Sequence, residues 1–229
     1  MQLLIGSCFV VAMEIKILYD NAALKGFKKG WGFSCLIELD KTKILFDTGD
    51  GPGYLTNLKS FGIDPQEIQH VILSHPHIDH VGGLKYLIQV NSQIIVHTPT
   101  FFPLQFKMDL MTSCNMHETF GFEQIFENIY VDFARNYVSE QFCIIDLSHG
   151  LLIITGCAHP GLDLILRRAA RHEKPLYGVL GGFHNFNKLD KLENLSFIAP
   201  CHCTTQKSSI IQSFPDKAKP CASGMVFKF

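Results

Sequence analysis

Residues 75–80, with the sequence HPHIDH, place four potential metal ligands in one short segment. Imidazole and carboxylate groups bind zinc, manganese and iron, so this spacing indicates a di-metal hydrolytic site. An apolar segment that predicts a buried strand comes before it, and two glycines follow. Alternate side chains of an extended segment lie on one side, so His75 and His77 are expected to share one ion. Asp79 and His80 are then left for a second ion. The competing interpretation is a solvated loop rich in histidine.

Later loops are expected to complete the site, because two ions need more ligands than one segment supplies. His159 follows a predicted strand at residues 151–155, and His202 follows one at residues 197–199. The predicted ligands fall into two groups, which are His75, His77 and His159 for one ion and Asp79, His80 and His202 for the other.

The HPHIDH run after a buried strand resembles the signature of the metallo-β-lactamase superfamily. Residues 44–49 (ILFDTG) strengthen the resemblance, because that superfamily usually carries an apolar strand ending in Asp-Thr-Gly before its metal motif. Three later motifs are similar to the branch of metal-dependent hydrolases related to the dihydropterin ribofuranosylaminobenzene-phosphate synthase of the methanopterin pathway. They are residues 155–161 (TGCAHPG), 181–184 (GGFH) and 200–204 (PCHCT).

The resemblance implies an α+β fold, an αββα sandwich of two mixed β-sheets flanked by helices. It also implies two divalent metal ions, with zinc expected and manganese or iron as alternatives. The implied activity is that of a metal-dependent hydrolase, which uses a metal-bound hydroxide on a small, phosphorylated or pterin-like substrate. Two other hypotheses stay open. One is a di-iron redox protein of the same fold, and the other is a metal-binding or ligand-binding module without turnover.

Cys157 marks a departure from better-known branches of the superfamily, which carry a bridging aspartate in a Thr-Gly-Asp or Gly-Asp turn. In this chain the corresponding turn is Thr155-Gly156-Cys157. Cys157 is therefore a candidate thiolate ligand, a replacement in topology only, or a small buried residue. We include it among the predicted metal ligands.

Two residues are candidates for catalysis rather than for metal binding alone. Asp79 is expected to orient the hydroxide besides ligating, and His184 follows a predicted strand that ends in two glycines. His184 fits a ligand role or a role in substrate contact and proton transfer, and we favour substrate contact. Asp47 is either a residue that fixes a ligand histidine or a turn-forming aspartate. His97 and His117 are alternative ligands only if the aromatic-rich residues 98–137 fold over the site.

The cysteines predict reduced thiols. Eight cysteines in a chain of 229 residues without a persuasive secretory signal favour a cytoplasmic protein over a disulfide scaffold. Cys201 and Cys203 flank His202, and the alternation of an extended segment predicts that both thiols point away from its side. Residues 1–12 are apolar but too short to span a bilayer, and Met13 is a candidate natural start.

Composition predicts one globular domain that acts on a small molecule. The chain is 47% hydrophobic and 18% charged, and its net charge of −1 argues against a nucleic-acid groove. No membrane partner is expected, and the oligomeric state is left open. Lys25, Lys28 and Lys29 form a basic cluster, which we interpret as a solvated turn, although lysines near the site would attract an anionic substrate.

Hydrophobic periodicity predicts alternating strands and helices in two similar halves. Strands are predicted at residues 14–19, 33–39, 43–46, 71–74, 94–96, 142–146, 151–154, 176–180 and 196–199, and helices at residues 84–88 and 161–171. Residues 98–137 show no clear period and are rich in Phe and Met. Packing is the favoured role for these aromatic residues, with a substrate entrance as the alternative.

Overall fold

The computed structural model describes residues 13–229, so the predicted extension at residues 1–12 lies outside the described residues. The strands are β1 (Met13–Tyr19), β2 (Ser34–Leu39), β3 (Thr42–Phe46), β4 (His70–Ile72), β5 (Ile95–Pro99), β6 (Asn115–Thr119), β7 (Glu123–Phe126), β8 (Ile129–Ala134), β9 (Glu140–Leu147), β10 (Gly150–Thr155), β11 (Leu176–Gly182), β12 (Phe197–Cys201) and β13 (Val226–Lys228). The α-helices are α1 (Gly53–Ser60), α2 (Ile78–Val81), α3 (Leu84–Val90), α4 (Leu104–Met111), α5 (Leu162–Ala169) and α6 (Lys207–Ser213).

The strands form two mixed sheets. The first has the order β13-β1-β2-β3-β4-β5-β6, and the second has the order β12-β11-β10-β9-β8-β7. Each sheet is antiparallel in one part and parallel in the other, with parallel pairing from β3 to β6 and from β10 to β12. The predicted sandwich of two mixed sheets with flanking helices is confirmed.

Both faces of each sheet are covered, which explains the nearly continuous apolar runs in the central strands. Between the sheets, side chains such as Phe46 on β3 and Leu152 on β10 form one core. Outside the first sheet, Leu45 packs in a second cluster with Tyr54 of α1. Outside the second sheet, α5 buries its apolar stripe, including Ile165, in a third cluster.

The ends of the parallel strands position the loops of interest. β3 leads into the turn at Asp47, and the neighbouring parallel strand β4 leads into the HPHIDH segment. In the second sheet, the parallel strands β10, β11 and β12 lead into the loops that carry His159, His184 and His202. Parallel neighbours end at the same edge of a sheet, so residues distant in sequence meet there.

The structure differs from the sequence prediction in residues 98–137. This segment contains α4 and strands β6, β7 and β8, although its sequence shows no clear period. β6 and β7 are short and lie at the ends of their sheets, where several side chains are exposed, so burial does not impose a clean alternation. Among residues 13–229, no helix has the length and apolar composition needed to cross a membrane.

Arg168, in the last turn of α5, pairs with an acid of the second sheet. Its guanidinium donates two hydrogen bonds, of 2.7 and 2.9 Å, to the buried Asp132 carboxylate on β8. The neighbouring Arg167 is 73% exposed and forms an i,i+4 pair with Asp163. Removal of Arg168 would therefore leave a buried carboxylate without a partner, whereas removal of Arg167 would leave a partly exposed one.

We expect Arg168→Met to lower the free energy of unfolding by about 2 kcal/mol, because it leaves a buried carboxylate without its partner. The partial exposure of Arg168 keeps this below the cost of a fully buried unpaired charge. Arg167→Met is the matched control and should change the free energy of unfolding by less than about 0.5 kcal/mol. Urea unfolding followed by circular dichroism measures both variants, and equal losses would contradict the assignment.

Candidate metal centre

Seven potential metal ligands meet at one edge of the sandwich. One ligand atom from each of His75, His77 and His159 lies within 4.8 Å of the others, which defines cluster A. The same is true of Asp79, His80 and His202, which define cluster B. Cys157 shares a third such group with His75 and His80, one residue from each cluster. The structure thus brings together all seven residues that the sequence predicts as ligands.

A short helix separates the ligands of the HPHIDH segment into the two clusters. His77 lies in extended backbone as the N-cap of α2, and its Nδ1 is 3.0 Å from His75 Nε2. The chain then turns into the helix, where Asp79 and His80 face cluster B. The glycine that precedes α3, Gly83, has no room for a side chain, because a Cβ would overlap the Thr48 carbonyl. This close approach holds α2 against the turn after β3.

Asp47 lies in that turn, and its carboxylate forms hydrogen bonds that orient one histidine of each cluster. Its carboxylate accepts hydrogen bonds from the backbone N–H of Ser74 (2.8 Å), from Ser74 Oγ (2.7 Å) and from His80 Nδ1 (2.7 Å). Ser74 Oγ also lies 2.8 Å from His75 Nδ1. Of the two interpretations of Asp47, this geometry matches the one in which the carboxylate fixes candidate ligand histidines.

These hydrogen bonds determine which nitrogen of each histidine is free. A carboxylate only accepts, so His80 Nδ1 carries a proton and Nε2 is the ring nitrogen that remains for a cation. Ser74 Oγ donates to Asp47 and therefore accepts from His75 Nδ1, which leaves His75 Nε2 free. Each free nitrogen faces its own cluster, since His75 Nε2 contacts His77 and His80 Nε2 lies 3.7 Å from Asp79 Oδ2.

Glu140, at the start of β9, organises the loop that carries His159. Its Oε1 accepts from the backbone N–H groups of Gly156, Cys157 and Ala158, and its Oε2 accepts from that of His159, each at 2.9 Å. Burial raises the pKa of Glu140, and the backbone donors oppose that shift. The sequence offered no signal for this residue, because its hydrogen bonds join positions 16 to 19 residues apart.

His202 is held by the loop after β1. Its backbone N–H donates to the buried Asp20 carboxylate at 2.8 Å. Asn21 Nδ2 donates to the His202 carbonyl, so Asn21 Oδ1 is the acceptor for His202 Nδ1 at 3.0 Å. His202 Nε2 is therefore the nitrogen that remains for a cation, and it lies 3.1 Å from Asp79 Oδ2. Asp20 and Asn21 were not identified from the sequence.

Unusual backbone conformations concentrate around the two clusters. Within residues 13–229, six non-glycine residues have a positive φ, and four of them are Asp47, Ala158, His184 and His202. Such conformations cost of order 1 kcal/mol or more each and persist only where the surroundings fix them. Glu140 and Asp20 supply that constraint at Ala158 and His202, and the bonds to Ser74 and His80 supply it at Asp47.

His184 lies beside cluster A rather than within it. Its ring centroid is 4.8 Å from that of His159, and both rings line an open cavity of about 220 Å³. Phe183 and Asn185 also line this cavity, and the Lys188–Asp163 ion pair lies at its margin. This position is compatible with substrate contact.

The cysteines of the site differ from the prediction. Cys203 Sγ lies within 4.8 Å of both Cys157 Sγ and a ring nitrogen of His202, so the prediction that it points away is wrong. The alternation fails because His202 has a φ of 43°, which interrupts the extended segment. Cys201 forms a disulfide with Cys221, so the expectation of reduced thiols is wrong for this pair.

His97 and His117 do not join either cluster. His97 Nε2 lies 3.0 Å from His70 Nδ1, and His117 Nε2 lies 2.8 Å from Glu123 Oε1. The alternative in which these histidines act as ligands is therefore wrong, since the aromatic-rich segment does not carry them over the site.

The donor set fits divalent cations. Burial lowers the pKa of His75 well below its ordinary value, and burial together with neighbouring imidazoles lowers the pKa of His159 to about 4. Both rings are therefore neutral near pH 7, with their lone pairs available. His159 Nε2 is buried and has no hydrogen-bond partner among the described residues. Converging neutral imidazoles with an unsatisfied nitrogen are what a bound cation would stabilise.

We expect Glu140→Gln to lower the free energy of unfolding of chelator-treated protein by roughly 3 kcal/mol. The amide offers one acceptor oxygen in place of two and turns its NH2 group toward backbone donors. Glu123→Gln is the control, because its partner His117 is exposed, and it should cost less than about 0.5 kcal/mol. Urea unfolding measures both, and equal values would contradict the role of Glu140.

Known proteins with similar sequences belong to families that match the fold and the candidate metal centre. A sequence model described as the metallo-beta-lactamase superfamily matches residues 32–166, more than half of the chain. The uncharacterised protein MJ0448 of Methanocaldococcus jannaschii is 31% identical over 237 residues, covering 85% of this chain and 91% of that protein. From the same organism, 7,8-dihydropterin-6-methyl-4-(beta-D-ribofuranosyl)-aminobenzene-5'-phosphate synthase is 25% identical over 263 residues, covering 86% and 90%.

A solved structure shares the fold over nearly the whole chain. The crystal structure of Tm1679, described as a metal-dependent hydrolase of the beta-lactamase superfamily, matches with a TM-score of 0.80 at 24% identity. The match covers 95% of this chain and 99% of that one. The resemblance drawn from the sequence motifs is confirmed, and the chain belongs to the metallo-beta-lactamase superfamily.

Proposed function

We propose that the protein is a metal-dependent hydrolase that acts on a small, phosphorylated or pterin-like substrate. Proteins of this superfamily are often metal-dependent hydrolases, and the fold implies divalent metal binding. The observation that carries the proposal is the buried, unpartnered His159 Nε2 in a cluster with two further imidazoles, those of His75 and His77. No side chain among residues 13–229 satisfies this nitrogen, whereas a cation in cluster A would.

The proposal assigns two ions to the two clusters. Cluster A would hold one ion through three imidazoles, and cluster B would hold the other through Asp79, His80 and His202, with Cys157 as a further ligand. Zinc suits this mixture of nitrogen, oxygen and sulfur, with manganese or iron as alternatives. When bound, two such ions lower the pKa of a water molecule and polarise a phosphoryl or carbonyl oxygen of the substrate.

The side chains of the protein supply orientation and proton transfer. Asp79 Oδ2 lies 3.1 Å from His202 Nε2 and 3.7 Å from His80 Nε2, where it can accept a hydrogen bond from a water molecule. His184 borders the cavity beside cluster A, where its imidazole can contact the substrate or give a proton to a leaving oxygen. Asp47 keeps the free nitrogens of His75 and His80 directed at the clusters.

The substrate class rests on the names of relatives and on the site's chemistry. The synthase of Methanocaldococcus jannaschii carries both a dihydropterin and a phosphate in its name, and the alignment covers most of both chains. A hydrolytic site built from two cations also favours anionic, phosphorylated substrates. We therefore favour a phosphorylated or pterin-like compound over a nucleic acid, in keeping with a net charge of −1.

The ligand assignment predicts the metal content of histidine variants. Wild-type protein without an affinity tag should contain about two equivalents of divalent metal. His77→Ala and His202→Ala should each lose about one equivalent and abolish hydrolysis, because each variant removes one ligand from a different cluster. His149→Ala, in the exposed turn between β9 and β10, should keep both. Elemental mass spectrometry measures the metal.

Three outcomes separate the interpretations of the site. Equal metal content in all of these proteins would remove the ligand assignment. Metal uptake without hydrolysis of generic phosphomonoesters, phosphodiesters or lactones would favour a binding module. Colour and redox-active iron in the purified protein would favour the di-iron alternative.

The role of Cys157 predicts a spectroscopic signature. Cobalt(II)-substituted protein should show a thiolate-to-cobalt charge-transfer band in the near ultraviolet, because Cys157 Sγ lies 3.2 Å from His80 Nε2. Cys157→Ser should abolish the band, and Cys114→Ser, outside both clusters, should keep it. A band that survives Cys157→Ser but disappears in Cys203→Ser would instead assign the thiolate to Cys203.

A further inference from the structure

Trp31 is the single tryptophan of the chain, and it lies exposed at the metal centre. Its side chain is 61% exposed, yet its ring centroid is only 5.0 Å from that of His202, with an angle of 59° between the two planes. The ring therefore borders cluster B and faces solvent. A large apolar ring beside candidate metal ligands differs from a scattered surface residue, because a substrate bound at His202 would lie within reach of it.

The backbone on both sides of Trp31 is fixed by close packing. A Cβ at Gly30 would overlap the Tyr19 hydroxyl, and a Cβ at Gly32 would lie 2.6 Å from the carbonyl oxygen of Asp79. The next residue, Phe33, donates its N–H to the same carbonyl at 3.2 Å. The backbone beside Trp31 thus packs directly against the HPHIDH segment, at the candidate ligand Asp79.

The preceding part of the loop is also held. The buried Asn57 of α1 accepts from the backbone N–H of Lys28 at 2.7 Å and donates to the Lys28 carbonyl at 2.8 Å. Its amide further donates to the Leu18 carbonyl at 2.6 Å. The loop backbone that carries Trp31 is therefore fixed before a ligand arrives, which lowers the entropy cost of binding.

We propose that Trp31 is the platform on which a flat aromatic ring of the substrate stacks while the anionic part of that substrate reaches the metal centre. The proposal rests on the proposed function for its substrate class and adds the residue that recognises the ring. An indole face suits planar heteroaromatic groups, because stacking needs a π-face and little hydrogen-bonding specificity. Lys25, Lys28 and Lys29 lie in the same loop, form no ion pair with any carboxylate of residues 13–229, and favour anionic ligands.

A single tryptophan allows a direct test on the metal-loaded protein. Adenosine 5′-monophosphate and ribose 5-phosphate differ only by the aromatic base, and 7,8-dihydroneopterin supplies a pterin ring. The proposal predicts saturable quenching of the Trp31 fluorescence by both aromatic probes and none by ribose 5-phosphate. Absence of saturable quenching by both aromatic probes, or equal quenching by the sugar phosphate, overturns it.

Substitutions give a second measurement, by isothermal titration calorimetry. Trp31→Ala should weaken binding of the aromatic probes roughly tenfold or more, whereas Trp31→Phe should stay within about threefold of wild type. Phe120→Ala is the control, because this ring is 70% exposed but lies outside the clusters, and it should leave binding unchanged. Wild-type affinity in Trp31→Ala overturns the proposal.

Metal content separates this proposal from the proposed function. Trp31→Ala keeps all candidate ligands, so it should retain the metal content of the wild type. Loss of probe binding with metal retained supports the platform. Wild-type protein that quenches with aromatic probes but takes up no metal would contradict the proposed hydrolase while leaving the platform supported.

Discussion

One buried carboxylate, that of Asp47, joins the two halves of the metal centre. It accepts from Ser74 and His80, and through Ser74 Oγ it also determines the tautomer of His75. An acceptor without protons can only face donors, so both rings must turn their free nitrogens outward, one to each cluster. The geometry of cluster A and that of cluster B are therefore not independent, because the same group orients a ligand in each.

Buried carboxylates also fix the other two ligand loops by accepting hydrogen bonds from their backbone. Glu140 collects four backbone N–H groups from the loop of His159, and Asp20 accepts from the backbone of His202. Each acid is buried, and each satisfies donors that irregular, tightly turned backbone would otherwise leave unpaired. The cost of the positive φ values at Ala158 and His202 is offset in this way. The site is thus shaped before any cation binds, which is what a rigid coordination geometry requires.

The sequence revealed those parts of the site that are local. The HPHIDH run could be interpreted because its ligands are adjacent in the chain, and the central strands because burial on two faces makes them continuously apolar. Glu140 and Asp20 could not be found, because a lone acid before or after an apolar strand carries no periodic signal, and the contact from Asp20 spans 182 residues. The position of Cys203 was mispredicted since alternation assumes an extended backbone, which His202 interrupts.

Cys157 couples the charge of the site to the binding of a cation. Its thiol lies 3.2 Å from His80 Nε2, and the neighbouring Cys203 thiol together with burial raises its pKa, so the protein alone keeps it protonated. A divalent cation reverses that preference, because a coordinating thiol is deprotonated outright. Where other branches carry an aspartate that is charged in any case, this chain carries a group whose charge depends on the ion. Occupation of cluster B would therefore release a proton, and metal affinity there should rise with pH more steeply than in cluster A, where the His75 and His159 imidazoles are already neutral.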